Sequence, residues 1–186
     1  IDESVGEYGK ILWSDDLIAP KFLEETVLFL DSRDVGFVFT NAEIFSSQAK
    51  MVSNLYSFKS TGLYDSDEYI EGVLFKSGFP ASPGCALFRL KDLKKNLIID
   101  IPNKVHSDFS THAIGNDLLI FLLTGIQYKK FAYVNKELSF FRAHKESISK
   151  NNLKSGYIRP MAFYGAEAMG ISAKELSTNL IVVGTI

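Results

Sequence analysis

"GKILWSDDLIAPKFLEETVLFLDSRDVGFVFTN" runs from Gly9 to Asn41. Lys10 to Trp13 read as a buried strand that ends on Ser14 and two adjacent carboxylates, Asp15 and Asp16. Pro20 suits the first turn of a helix, and Phe22, Leu23, Val27 and Leu30 then fall near one helical face. Asp34 to Asn41, rich in Val and Phe, reads as a second strand. Strand, acid turn, helix, strand is the grammar of an open α/β sheet with helices on both faces. Such sheets take ligands beyond the carboxyl ends of their strands, which is where Asp15 and Asp16 would stand.

The rest of the chain is less regular. Ser46 to Gly62 reads as a polar excursion or short hairpin, and Ser66 to Gly78 as a helix with Ser66 at its N-cap and Gly78 as its stop. A short strand is expected over Cys85 to Phe88 after two prolines and a glycine, and a strongly apolar helix from Asn116 to about Gly125. Lys129 onward predicts a strand, a turn at Asn135-Lys136, and a second strand reaching Arg142-Ala143-His144. Residues 1–150 would form one domain. Residues 151–186 would form a tail with helices around Arg159 to Met169 and Ser172 to Leu180.

Composition narrows the function classes. The 186 residues suffice for one domain with a core; 46% are hydrophobic, with 15 Phe and 8 Tyr, so the chain is globular. The formal net charge is −2 without a basic stripe, which argues against nucleic acid as a partner. One cysteine, Cys85, excludes an intrachain disulfide. "DLLIFLLTGI" and "NLIVVGTI" are too short to span a bilayer. The first residue is Ile1 and no signal peptide precedes the fold, so the chain reads as a piece of something longer.

Three polar clusters can carry chemistry. Asp15 and Asp16 could grip Mg²⁺ or Mn²⁺, which prefer oxygen ligands and substrate phosphates, or could decorate the following helix dipole. Asp117 at the start of the apolar helix could act as a general base or as a first-turn acid. Arg142 and His144, two apart on a strand, share a face suited to phosphate or metal contact, or form an exposed strand end of mixed charge. His106 and His112 read as loop residues, and Cys85 as a core thiol.

Taken in order, these clusters resemble the later part of a family 2 glycosyltransferase with the GT-A fold. "GEYGKILWSDDLIAPKFLEETVLFLDSRDVGFVFTNAEIF" resembles that family's acid-motif strand, helix and next strand. "SPGCALFRLKDL" resembles the segment lining its sugar site, "GNDLLIFLLTG" the segment carrying its catalytic base, and "FFRAHKESIS" its Arg-x-His-x-x-Ser-like close. The match runs from about Gly6 to Ser149.

The resemblance implies a GT-A-like mixed, mostly parallel sheet flanked by helices and incomplete at its N-terminus. It implies an inverting transfer from a nucleotide-sugar to a saccharide or lipid-linked acceptor, in bacterial surface polysaccharide synthesis. Asp15, Asp16 and His144 would hold Mn²⁺ or Mg²⁺, with Arg142 and His144 on the donor. Ser82, Gly84, Cys85 and Asn116 would line the substrate, and Asp117 would be the base. Location would be cytoplasmic, at the inner face of a membrane through peripheral association. Two departures stand out: Trp13 occupies a position that is usually acidic, and Asn116 replaces the acid before Asp117. The family's nucleotide-binding first half would lie before Ile1. Pairing with that segment, or a non-catalytic α/β partner module, is therefore a competing expectation. A metal-dependent phosphoryl hydrolase is a third; it needs further acids at strand ends.

Overall fold

The computed structural model describes residues 1, 3–46, 50–99 and 116–143. Its spine is two long strands, β3 (Val35–Phe45) and β7 (Lys130–Arg142), lying parallel. Five short strands complete the sheet: β1 (Tyr8–Gly9), β2 (Leu17–Ile18), β4 (Lys50–Ser53), β5 (Gly62–Asp65) and β6 (Ala86–Arg89). On its outer side β3 pairs with β6 over Phe37–Phe39 and with β4 over Glu43–Phe45, and β1 extends β6. On its own outer side β7 pairs with β5 over Lys130–Tyr133 and with β2 over Ser139–Phe140. Each spine strand is thus flanked twice, once on each half of its length.

Val35 to Ala42 are all buried, as expected for a strand covered on both faces. Alternate side chains enter different clusters: Phe37 and Phe39 meet one, Val38 the other. Over the Phe37 face lie α2 (Ser66–Phe75), α3 (Leu90–Asn96) and α4 (Asn116–Gln127), supplying Tyr69, Ile70, Leu93 and Leu118–Leu123. Over the other face lie α1 (Phe22–Thr26) and the 3₁₀ turn Val27–Asp31, supplying Phe22 and Leu30. Helices therefore cover both faces of a mixed, curled sheet, and each fully buried Phe or Leu contributes about 1.5–3 kcal/mol.

Several expectations are corrected. The sheet is not mostly parallel: among the described strand pairs only β3–β7 is parallel, because the short flanking strands are antiparallel edges that βαβ grammar does not encode. Lys10–Trp13 is not a strand; pairing falls on Tyr8–Gly9 before it and Leu17–Ile18 after it. Pro20 lies ahead of α1 rather than in its first turn, and Leu23 is exposed while Phe22 and Leu30 are buried. Asp65, not Ser66, takes the N-cap position of α2. Asn135-Lys136 is no hairpin turn: Thr40 faces Val134 and Asn41 faces Glu137, so β7 bulges outward there without reversing. Cys85 belongs to the 3₁₀ turn Pro83–Cys85, and β6 begins at Ala86.

The Ser46–Gly62 excursion does include a hairpin partner, β4. Gly78 stands just beyond α2 at φ +81°, and a Cβ there would fall 1.8 Å from Ser57 Oγ, so only glycine fits. The 151–186 tail, His106, His112 and His144 lie outside the described residues.

Candidate functional site

Trp13–Asp16 forms a tight turn, closed by the Asp16 N–H donating to Trp13 O at 3.1 Å. The turn is clamped to the end of β7 by Arg142. The Arg142 backbone N–H donates to Asp16 Oδ1 at 2.9 Å, and Arg142 Nε donates to Asp15 O at 2.9 Å. The Arg142 guanidinium also lies 4.6 Å from the Phe45 ring centroid. Asp15, Asp16 and Arg142, far apart in sequence, thus meet at one rim of the sheet.

The same rim receives the Ser82–Cys85 segment. Ser82 Oγ accepts from Gly84 N at 3.4 Å, which caps the 3₁₀ turn. Trp13 Nε1 points at Ser82 Oγ from 3.5 Å, the outer limit of a hydrogen bond. A Cβ on Gly84 would fall 2.9 Å from Phe141 Cε1 and 3.5 Å from Trp13 Cδ1, so the glycine lets the turn pass close between two aromatic rings. Cys85 is fully buried; its Sγ accepts from Tyr56 OH at 3.3 Å, and burial pushes the thiol up to about 11. Its side chain therefore stays protonated in the core, as neither a nucleophile nor a rim contact.

Lys10 reaches this rim from beneath. Its ammonium donates to Gly84 O and lies 4.1 Å from the Phe22 ring centroid. Burial pulls its pKa down to about 8, while nearby Asp16 opposes that fall. Asp16 itself is raised, by burial first and also by the like charge of Asp15; the Arg142 N–H and the charges of Lys10 and Arg142 hold it back. The electrostatic pattern is an acid pair partly neutralised by two fixed cations.

Asp117 opens α4. Burial raises its carboxyl to about 6, close to the range in which a general base works. Beside it, Asn116 is buried: Nδ2 donates to Ile98 O at 2.8 Å, and Oδ1 has no hydrogen-bond partner among the described residues. α4 packs against the Pro83–Cys85 turn, the same turn whose Gly84 lies against Trp13. Lys10 and Trp13, outside the set of residues expected at the site, also stand at this rim. The signal for Lys10 was a cation inside an apolar run, and for Trp13 the departure from an acidic position.

The acid pair suits a hard divalent cation in charge and oxygen donors, and a cation would offset both the burial that chiefly raises Asp16 and the lesser repulsion from Asp15. One oxygen, Asp16 Oδ1, already accepts the Arg142 N–H. Among the described residues no group of three or more His, Cys, Asp or Glu side chains is gathered to hold a metal ion, so the pair offers part of a coordination sphere. No helix among them is long and apolar enough to cross a membrane.

The fold resembles that of TarS from S. aureus. Superposed on TarS residues 1–349 in complex with UDP-GlcNAc, it gives a TM-score of 0.53 at 15% identity, over 80% of this chain and 38% of that one. Another TarS structure gives 0.52 at 15% identity, over 76% of this chain and 23% of that one. A third, with UDP, gives 0.50 at 15% identity, over 76% and 37%. The chain thus spans well under half the length of these structures. No protein-family model matches the chain.

A different likeness is confined to a short stretch. Forty residues, 22% of this chain, are 48% identical to a branched-chain-amino-acid aminotransferase of Pseudomonas aeruginosa and cover 13% of it. A probable branched-chain-amino-acid aminotransferase of Rickettsia felis is 44% identical over 43 residues, 23% of this chain and 15% of that one. Matches that span so little of those enzymes relate a segment and carry no activity to this chain.

Proposed function

We propose that the protein is a glycosyltransferase, or the acid-motif and base-bearing part of one, acting on a nucleotide-sugar. The observation that carries this reading is the meeting of the Trp13–Asp16 turn, the Ser82–Cys85 turn and Arg142 on one rim of a glycosyltransferase-like sheet. A nucleotide-sugar brings a diphosphate, and Lys10 and Arg142 supply fixed positive charge beside the acid pair. Asp15 and Asp16, with His144, would hold Mn²⁺ or Mg²⁺, which when bound would neutralise charge on the departing diphosphate.

Asp117 acts as the base. It takes the proton from an acceptor hydroxyl as that oxygen bonds to the anomeric carbon. The bond from that carbon to the diphosphate oxygen breaks, the electron pair leaves with the diphosphate, and configuration inverts. Ser82, Gly84 and Asn116 border the sugar, and Cys85 supports the turn from the core. The acceptor is a saccharide or lipid-linked saccharide of bacterial surface polysaccharide, and the work is done in the cytoplasm at the inner membrane face.

A second reading is a non-catalytic module that completes a donor site only with another segment. It is favoured by Trp13, which stands where the resembled family's acid motif carries a further carboxylate. Calorimetric titration with UDP-GlcNAc and UDP, then other nucleotide-sugars, with Mn²⁺ or with a chelator, tests both. Donor binding strengthened by Mn²⁺ supports the enzyme. Binding that appears only after a nucleotide-binding segment is supplied supports the module. No binding under either condition removes both.

A further inference from the structure

Trp13 is the first residue of the acid turn, and its backbone carbonyl closes that turn by accepting the Asp16 N–H. The backbone that carries the indole is therefore fixed relative to the acid pair. The indole also lies against the other wall of the rim, with Nε1 toward Ser82 Oγ and Cδ1 within 3.5 Å of the point where a Gly84 Cβ would stand. Despite these two contacts it is 43% exposed. An aromatic ring carried by the acid turn and bordered by a side-chain-free glycine sets an apolar face next to the acid pair.

A diphospho-sugar has the matching halves. Its phosphates suit a cation that the acid pair would hold, and the C–H face of its sugar ring suits the electron-rich face of an indole. We propose that Trp13 is a specificity-determining residue whose indole stacks on the sugar ring of the donor, discriminating a nucleotide-sugar from the bare nucleotide. This rests on the donor reading above and extends it to one subsite.

Trp13 is the protein's single tryptophan, so its emission reports this subsite alone. UDP-GlcNAc and UDP are titrated against wild type, Trp13→Ala and Trp13→Phe, following fluorescence in wild type and calorimetry in all three. A thermal melt of each variant confirms folding, and Trp13→Phe keeps an aromatic face should the alanine variant fold poorly. The expected result is a change in Trp13 emission with UDP-GlcNAc and little with UDP. Trp13→Ala should lose about tenfold in UDP-GlcNAc affinity with UDP affinity unchanged, and Trp13→Phe should recover most of it. Equal loss for both ligands, or no loss in the alanine variant, overturns the stacking role while the donor reading stands. Absence of calorimetric binding from every form overturns the donor reading and this inference with it.

Discussion

The two halves of the β3–β7 spine are built on different principles. The first half is aromatic. Phe37 is fully buried and meets Tyr69 and Phe121 edge-on at 5.1 Å and Phe131 stacked at 5.5 Å, with Phe39 and Phe88 also in contact. The second half is polar. Thr40 Oγ1 lies 3.0 Å from Ser139 Oγ, Asn41 Nδ2 donates to Asn54 Oδ1 at 2.9 Å, and Arg142 clamps the acid turn. The boundary between them is the bulged stretch where Asn41 faces Glu137. Apolar burial is non-directional and forgiving of partners, whereas buried polar groups must each be satisfied. The aromatic half therefore supplies stability, and the polar half fixes side chains at the rim that carries the proposed site.

The strongest way to break this division is Phe37→Ala. It should cost about 3–5 kcal/mol, read by denaturant unfolding, because it empties the centre of the ring cluster. A loss under 1 kcal/mol would show that the aromatic half is not the anchor.

Asp117→Asn comes next. If Asp117 is the base, turnover should fall about a hundredfold with donor affinity nearly unchanged. In wild type, turnover should rise with pH through about 6 as the carboxyl loses its proton, and that limb should vanish in the variant. The stability sign is opposite. A carboxyl raised in the folded state favours folding at low pH, so wild type should lose stability as pH climbs from about 4 to 6, by no more than about 3 kcal/mol. Thermal melts of both forms across that range check it.

Asp16→Asn should be milder on the fold and selective for ligand. The amide oxygen can still accept the Arg142 N–H, so the melting temperature should hold within a few degrees. Mn²⁺-dependent donor affinity should drop about tenfold through loss of an anionic ligand. Equal affinity in chelator and in the variant would remove the metal role.

The smallest effect belongs to the surface. Lys136, exposed at the bulge, pairs with Glu25 at 2.5 Å, and Lys136→Ala should cost about 0–1 kcal/mol. A larger loss would mean that the pair pins the bulge itself.

The aromatic half was legible in the sequence because burial writes itself as uninterrupted apolar runs. The strand expected over Asp34 to Asn41 and the helix expected from Asn116 to about Gly125 rest on such runs and stand as β3, Val35–Phe45, and α4, Asn116–Gln127. The polar half was harder. Asn135-Lys136 looks like a turn because both residues are polar, yet Asn135 is tied to Lys59 O and Thr61 Oγ1, which carries β7 through its bulge without a reversal. Lys10–Trp13 looks like a strand because it is apolar, but neighbouring residues take the edge pairing and leave Leu12 and Trp13 exposed. The acid pair was visible as a motif. Its clamp by Arg142, about 126 positions away, depends on a tertiary meeting that no local pattern contains.

The parallel pairing of the spine also sets an order of events during synthesis. Val38 lies opposite Ala132, about 94 residues later, so β3 emerges from the ribosome long before its central partner exists. Until Lys130 onward is made, Val35 to Ala42 can pair only on the β6 and β4 side. The waiting strand is a long apolar edge, the kind that recruits other chains. Contacts this distant also close slowly, at a high entropic cost. A nascent chain stalled before Lys130 therefore leaves the strand at the centre of the finished sheet as the most aggregation-prone surface of the unfinished one.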